Sequence, residues 1–135
     1  MDGVVIGRGE GERLLAEIRD LRIKISCPEL DVTETHSDPG FNVGSHLHKR
    51  HADSFYVLEG ELEFLVGDET VRAGPGTFVS APPGVVHAFK NPGPDPARYL
   101  NIHAPSCGFA DLLRARDRGE EVNPEDYDVW DVPDA

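Results

Sequence analysis

The sequence predicts an all-β protein, a sandwich or barrel of short strands. Three observations carry that prediction. The 135 residues include 14 glycines and 11 prolines, which favour tight turns over long helices. Runs rich in β-branched and aromatic residues alternate with polar ones through the middle of the chain. Turn signals recur between those runs at short spacing, at Gly60, Gly67-Asp68, Gly74-Pro75-Gly76, Pro82-Pro83-Gly84 and Asn91 to Pro96.

Residues 1–12 are glycine-rich and expected to be irregular. Gly7-Arg8-Gly9-Glu10-Gly11 has the look of a phosphate loop but lacks a preceding buried strand and the full spacing. Leu14, Leu15, Ile18 and Leu21 have helical spacing, whereas Leu21 to Ile25 alternates. A strand is expected for 21–26, and 13–18 stays open between the two states. Strands follow at Val32 to Thr35, Val43 to His48, Ser54 to Glu59, Glu61 to Val66, Glu69 to Arg72, Phe78-Val79, Val85 to Phe89 and Tyr99 to His103. Phe109 to Arg116 suits a short helix, with Phe109, Leu112 and Leu113 on one face to pack against the barrel. Beyond Arg118 the chain is polar, and Tyr127, Val129 and Trp130 are expected to dock part of it on its own barrel or on a neighbouring subunit. One domain is expected over 1–135, with a barrel core at about 21–106 and a C-terminal helix and acidic tail at 108–135.

The formal net charge is −12. Residues 117–135 hold eight carboxylates against one base, Arg118, a net −7 that solvation of a tail would explain. With no basic face to meet phosphates, nucleic acid is a poor candidate partner and none is expected. No run approaches the roughly 20 apolar residues of a membrane span. The N-terminus has no basic segment leading into an apolar one, so the cytoplasm is the expected location. Cys27 and Cys107 make no disulfide framework and are expected to be small, buried or half-buried thiols.

The chemistry lies in the histidines. His46 and His48 are two apart, which on a strand puts both imidazoles on one face. Asp53 offers a carboxylate shortly after, and His87 a third imidazole about 40 residues on. Three neutral imidazoles and one carboxylate suit a divalent transition metal rather than calcium or magnesium. His51 is off the His46/His48 alternation and is expected at the surface or rim. His36 and His103 are expected to be ordinary strand residues, though His103 could face the pocket. If Asp53 points inward, so do Phe55 and Val57; if His87 does, so do Val85 and Phe89. Phe55, Val57 and Phe89 are therefore the pocket candidates, with Leu62 and Phe64 on the next strand. There is no Ser/His/Asp order of a hydrolase and no evident lysine for Schiff-base chemistry.

Two stretches resemble the paired motifs of the cupin superfamily. Gly40, His46, His48, Asp53 and Gly60 are similar to Gly-x5-His-x-His-x4-Glu-x6-Gly. Gly76, Pro82, Gly84, His87 and Asn91 fill Gly-x5-Pro-x-Gly-x2-His-x3-Asn without exception. The likeness is strong over about 32–105, and it is greatest to small single-domain cupins of the quercetin-dioxygenase-like kind. It implies a double-stranded β-helix, or jelly-roll barrel, with a short C-terminal helix. It also implies one divalent metal (iron, manganese, nickel, copper or zinc) on His46, His48, Asp53 and His87, and a small-molecule substrate. Dioxygenase chemistry on an enol, aromatic or carbonyl compound follows, with metal-assisted isomerisation or decarboxylation, or non-catalytic small-molecule binding, as alternatives. A homodimer joined through N-terminal strands or the C-terminal tail is a further implication. The departure is Asp53 in place of glutamate, one methylene and about 1.5 Å shorter. Either the strand shifts inward, or a water bridges to the ion, or three histidines hold it alone.

Overall fold

The computed structural model describes residues 2–133. Its strands are β1 (Glu12–Ala16), β2 (Arg19–Cys27), β3 (Leu30–Ser37), β4 (Asn42–Leu47), β5 (Ala52–Glu59), β6 (Leu62–Val66), β7 (Glu69–Ala73), β8 (Phe78–Ala81), β9 (His87–Lys90), β10 (Ala97–Ala104) and β11 (Trp130–Asp131). One helix, α1 (Phe109–Asp117), and a 3₁₀ turn at Pro124–Tyr127 separate β10 from β11. The strands form two antiparallel sheets, β1-β2-β3-β10-β5-β8 and β11-β4-β9-β6-β7, which make the jelly-roll barrel. Among the described residues no helix is long and apolar enough to cross a membrane.

The open stretch at 13–18 is strand and turn, so the sheet begins at Glu12 rather than near residue 21. Leu14 and Leu21 are cross-strand partners. They share a face, and with Ile23 they bury against Ala110 and Leu113 of α1. Leu15 points the other way and is 58% exposed. A hairpin thus produces the spacing that a helix would also give. The acidic tail is not wholly a solvated strand of charge: it docks on its own chain, where Trp130 pairs with Leu47 and Asp131 with His46. Residues 134–135, including Asp134, lie outside the described residues.

The core is the inward face of both sheets. Phe55, Val57, Leu62, Phe64, Phe89 and Tyr99 are buried together, with Phe55 4.9 Å from both Phe64 and Phe89 between ring centroids. Gly60 turns β5 toward β6 at φ +75°, and a Cβ there would lie 2.8 Å from Ala97 Cα, so only glycine fits. Helix α1 starts where buried Asp31 accepts from the Ala110 amide and the Ser106 hydroxyl. It ends in left-handed Gly119, with Glu120 N bonded to Ala115 O. Phe109 caps the barrel mouth, stacked 3.6 Å from the His103 ring.

Candidate metal centre

Strand register assembles the site. His46 on β4 is the direct partner of His87 at the start of β9, and Asp53 on β5 is the partner of His103 on β10. His48 follows β4 by one residue. All four residues singled out from the sequence come together, and all are buried. Asp53 Oδ2 lies 2.9 Å from His87 Nε2, 3.2 Å from His48 Nε2 and 3.9 Å from His46 Nε2. The shorter side chain therefore does not keep the carboxylate out of the cluster.

Each imidazole is aimed by its other nitrogen. His46 Nδ1 donates to Gly44 O at 2.8 Å, His87 Nδ1 to Val85 O at 2.9 Å and His48 Nδ1 to Asp128 O at 2.8 Å. A carbonyl can only accept, so each Nδ1 carries the hydrogen and each ring turns its Nε2 toward Asp53, as a lone pair when the ring is neutral and as a donor when it is protonated. Lone pairs then face a carboxylate oxygen, an arrangement that a proton or a metal cation between them relieves. Orienting carbonyls behind histidine ligands are the support such a cation requires. Donor type and position both fit a divalent transition metal.

The electrostatics match. Burial would raise the Asp53 pKa, but the four surrounding imidazoles of His103, His46, His48 and His87 hold it well below the usual carboxylate value. Burial would lower His46, yet Asp53 and the Gly44 carbonyl outweigh it and raise the pKa. Asp53 Oδ1 accepts from Asn101 Nδ2 at 2.6 Å, which fixes the carboxylate plane.

Behind the cluster runs a second line of groups, joining His51 and His103 to an acidic residue of the tail that the sequence did not single out. Asp128 is fully buried, and its carboxylate accepts from the amides of Lys49 (2.9 Å) and Arg50 (2.7 Å), from His51 Nδ1 (2.8 Å) and from Trp130 Nε1 (3.1 Å). Burial alone would raise its pKa; the two amides, His51 and Trp130 bring it down to about 2. His51 Nε2 meets His103 Nδ1 at 2.7 Å, and His103 Nε2 lies 3.2 Å from Asn101 Oδ1. Burial pushes the His103 pKa down to about 3. His51 is thus no surface or rim residue: it is 0% exposed, because the returning tail covers it. His103 does face the cavity, whereas His36 is exposed. His48, His51 and His103, and likewise His51, Cys107 and Asp128, also bring donor atoms close together. Most of those ring nitrogens are already engaged in the chain just described. Both cysteines are free and half-buried.

A cavity of about 400 Å³ opens beside the cluster. His46, His48, Asp53, Asn101 and His103 line one end, and Phe41, Val43, Phe89, Phe109 and Leu112 make much of the wall. Of the pocket candidates, Phe89 lines the cavity. Phe55 and Val57 point inward but belong to the solid core behind Phe89 and are not part of its wall. Inward along a barrel strand means cavity near one end and packed core further along.

Residues 33–103 match the cupin domain family, a span that includes His46, His48, Asp53 and His87. A quercetin 2,3-dioxygenase of Bacillus subtilis (strain 168) is 29% identical over 90 residues, covering 64% of this chain and 27% of that protein. The mannose-1-phosphate guanylyltransferase RfbM of Salmonella typhimurium is 27% identical over 81 residues, covering 59% and 17%. The chain therefore spans well under two thirds of either curated relative. Among solved structures, KdgF from Halomonas sp. superposes with a TM-score of 0.69 at 25% identity, over 77% of this chain and 94% of that one.

Proposed function

We propose that this chain, which belongs to the cupin domain family, holds one divalent transition metal on His46, His48, His87 and Asp53. On this reading it acts as a dioxygenase-like enzyme on a small enol, aromatic or carbonyl compound. The observation that carries this reading is the set of three Nδ1–H···O=C bonds that turn three Nε2 lone pairs onto Asp53 Oδ2. Iron, manganese, nickel, copper and zinc all suit the donors. Bound there, such an ion would supply a Lewis acid and open positions for substrate and O₂. The chain's own residues do the rest. Asn101 holds Asp53 in plane, the carbonyls of Gly44, Val85 and Asp128 hold the rings, and Phe89, Phe109 and Leu112 keep bulk water from the cavity.

A redox-neutral isomerisation or decarboxylation is favoured by one separate observation. His103 places an imidazole outside the four-residue set at the cavity, linked through His51 to Asp128. Oxygen uptake during turnover of a panel of catechols, enols and keto acids distinguishes the two: the dioxygenase reading requires O₂ consumed in step with product. Product without O₂ consumption would favour the redox-neutral reading, and binding without turnover would leave a small-molecule-binding cupin. The homodimer follows as a proposal through the β1 edge, where Leu15 and Ile18 are exposed. The tail is a poorer interface, since it pairs with its own β4.

A further inference from the structure

The chain has ten arginines among 25 acidic residues. Eight of them have a carboxylate oxygen within 4.0 Å. Among the described residues, Arg19 and Arg116 are the two that do not, and both line the 400 Å³ cavity. Acidic partners are not scarce in a chain of net charge −12, so their absence at this one place calls for an explanation. Arg19 is half-buried, and its Nε is fully buried with no hydrogen-bond partner. Guanidinium does not shed its proton in a protein, so the charge stays, and its burial outweighs the through-space attraction of Tyr99, Asp117 and Asp20.

Register places Arg19 far from the His/Asp cluster. It pairs with Ser37, which pairs with Ala97, six residues along β10 from His103. At about 3.4 Å per residue that is about 20 Å of backbone, which the long Arg19 side chain can shorten. Leu21, Thr35 and Tyr99 line the cavity between the two ends. Apart from Asp53, the cavity's lining carboxylate is Asp131, which pairs with His46 at the opposite end. One end of the cavity thus holds the His/Asp cluster and the other an unpaired cation.

We propose that Arg19, assisted by Arg116, is an anion-recognition site, and that the compound bound in the cavity is a small organic acid. Its carboxylate meets the arginines, and an oxygen-bearing group at its other end reaches the cluster. The second part rests on the metal reading given under Proposed function; the arginine site does not. A carboxylate fits better than a phosphate dianion. One half-buried guanidinium balances one charge with its planar fork, and Arg116 is solvent-exposed.

The test is calorimetric titration with 3-(3,4-dihydroxyphenyl)propanoate and with its neutral methyl ester. The acid is expected to bind at least about tenfold more tightly than the ester, as a charge-assisted arginine contact implies. Arg19→Gln should erase that preference while leaving ester affinity and melting temperature nearly unchanged. Arg19→Lys should restore part of it, and Arg116→Gln should cost less and in a salt-sensitive way. Equal binding of acid and ester, an Arg19→Gln variant that keeps the preference, or failure of either probe to bind would each overturn the proposal. Metal content and a chelator-treated sample separate the two ideas. Acid preference that persists in metal-free protein supports the arginine site whatever becomes of the metal reading, and bound metal without acid preference sinks the arginine site alone.

Discussion

Replacing Asp128 by alanine should cost this protein about 4 kcal/mol. The carboxylate is fully buried and accepts four hydrogen bonds, from the amides of Lys49 and Arg50, from His51 Nδ1 and from Trp130 Nε1. The two amides and the indole are part-buried and recover some water. His51 is 0% exposed and cannot. Orphaning one buried donor costs about 1–3 kcal/mol, and the lost charge-assisted bonds bring the total to about 3–5 kcal/mol, as for a broken buried ion pair. For a chain of this length that is a fall of about 12–15 °C in Tm. Urea unfolding at neutral pH measures it. The pH dependence adds a second arm. The folded pKa of about 2 lies below the ordinary 3.8, so the carboxylate's contribution is fully present above about pH 4 and is lost as pH falls toward 2. The gap between wild type and Asp128→Ala should narrow by about 2 kcal/mol over that window. The variant keeps the backbone carbonyl that orients His48, but the lost bonds to the Lys49 and Arg50 amides release the segment that positions it, so metal affinity should fall about tenfold. A variant within about 1 kcal/mol of wild type, or a gap that stays constant with pH, would refute the reasoning.

Other outcomes follow from the same structure. Gly60→Ala should destabilise by about 3 kcal/mol, because it combines positive φ with a Cβ driven against Ala97 and the Pro96 carbonyl; chemical denaturation checks this, and a neutral result would mean that the turn relaxes freely. Light scattering should report twice the chain mass, and Leu15→Lys on the β1 edge should halve it; a wild-type monomer would remove the dimer proposal.

Much of the site was legible because strand geometry is short-range. His46 and His48 two apart, and the glycines and prolines around His87, specify a face and a turn without help from the rest of the chain. Asp53 was legible in type, but that it reaches the cluster depends on its pairing with His103 across β10. The rest was not local. Asp128 and its amide partners are 78 and 79 residues apart, so nothing near Asp128 in sequence sets it apart from the other acids of the tail. His51 followed it: alternation put that side chain outside, and the tail then covered it. Leu14, Ile18 and Leu21 fit a helix as well as a hairpin, and the packing of α1 on Leu14 and Leu21 accompanies the hairpin. Arg19 lay inside that ambiguous stretch, so its place in the cavity could not be read before the register was known.

The central claim is tested most directly by elemental analysis of protein purified without a histidine tag, beside a His46→Ala/His48→Ala double variant. Near-stoichiometric iron, manganese, nickel, copper or zinc in the wild type, lost in the variant, is the predicted result. Wild-type protein that takes up no metal even on reconstitution would contradict the account, and the binding-module reading would then replace the enzyme.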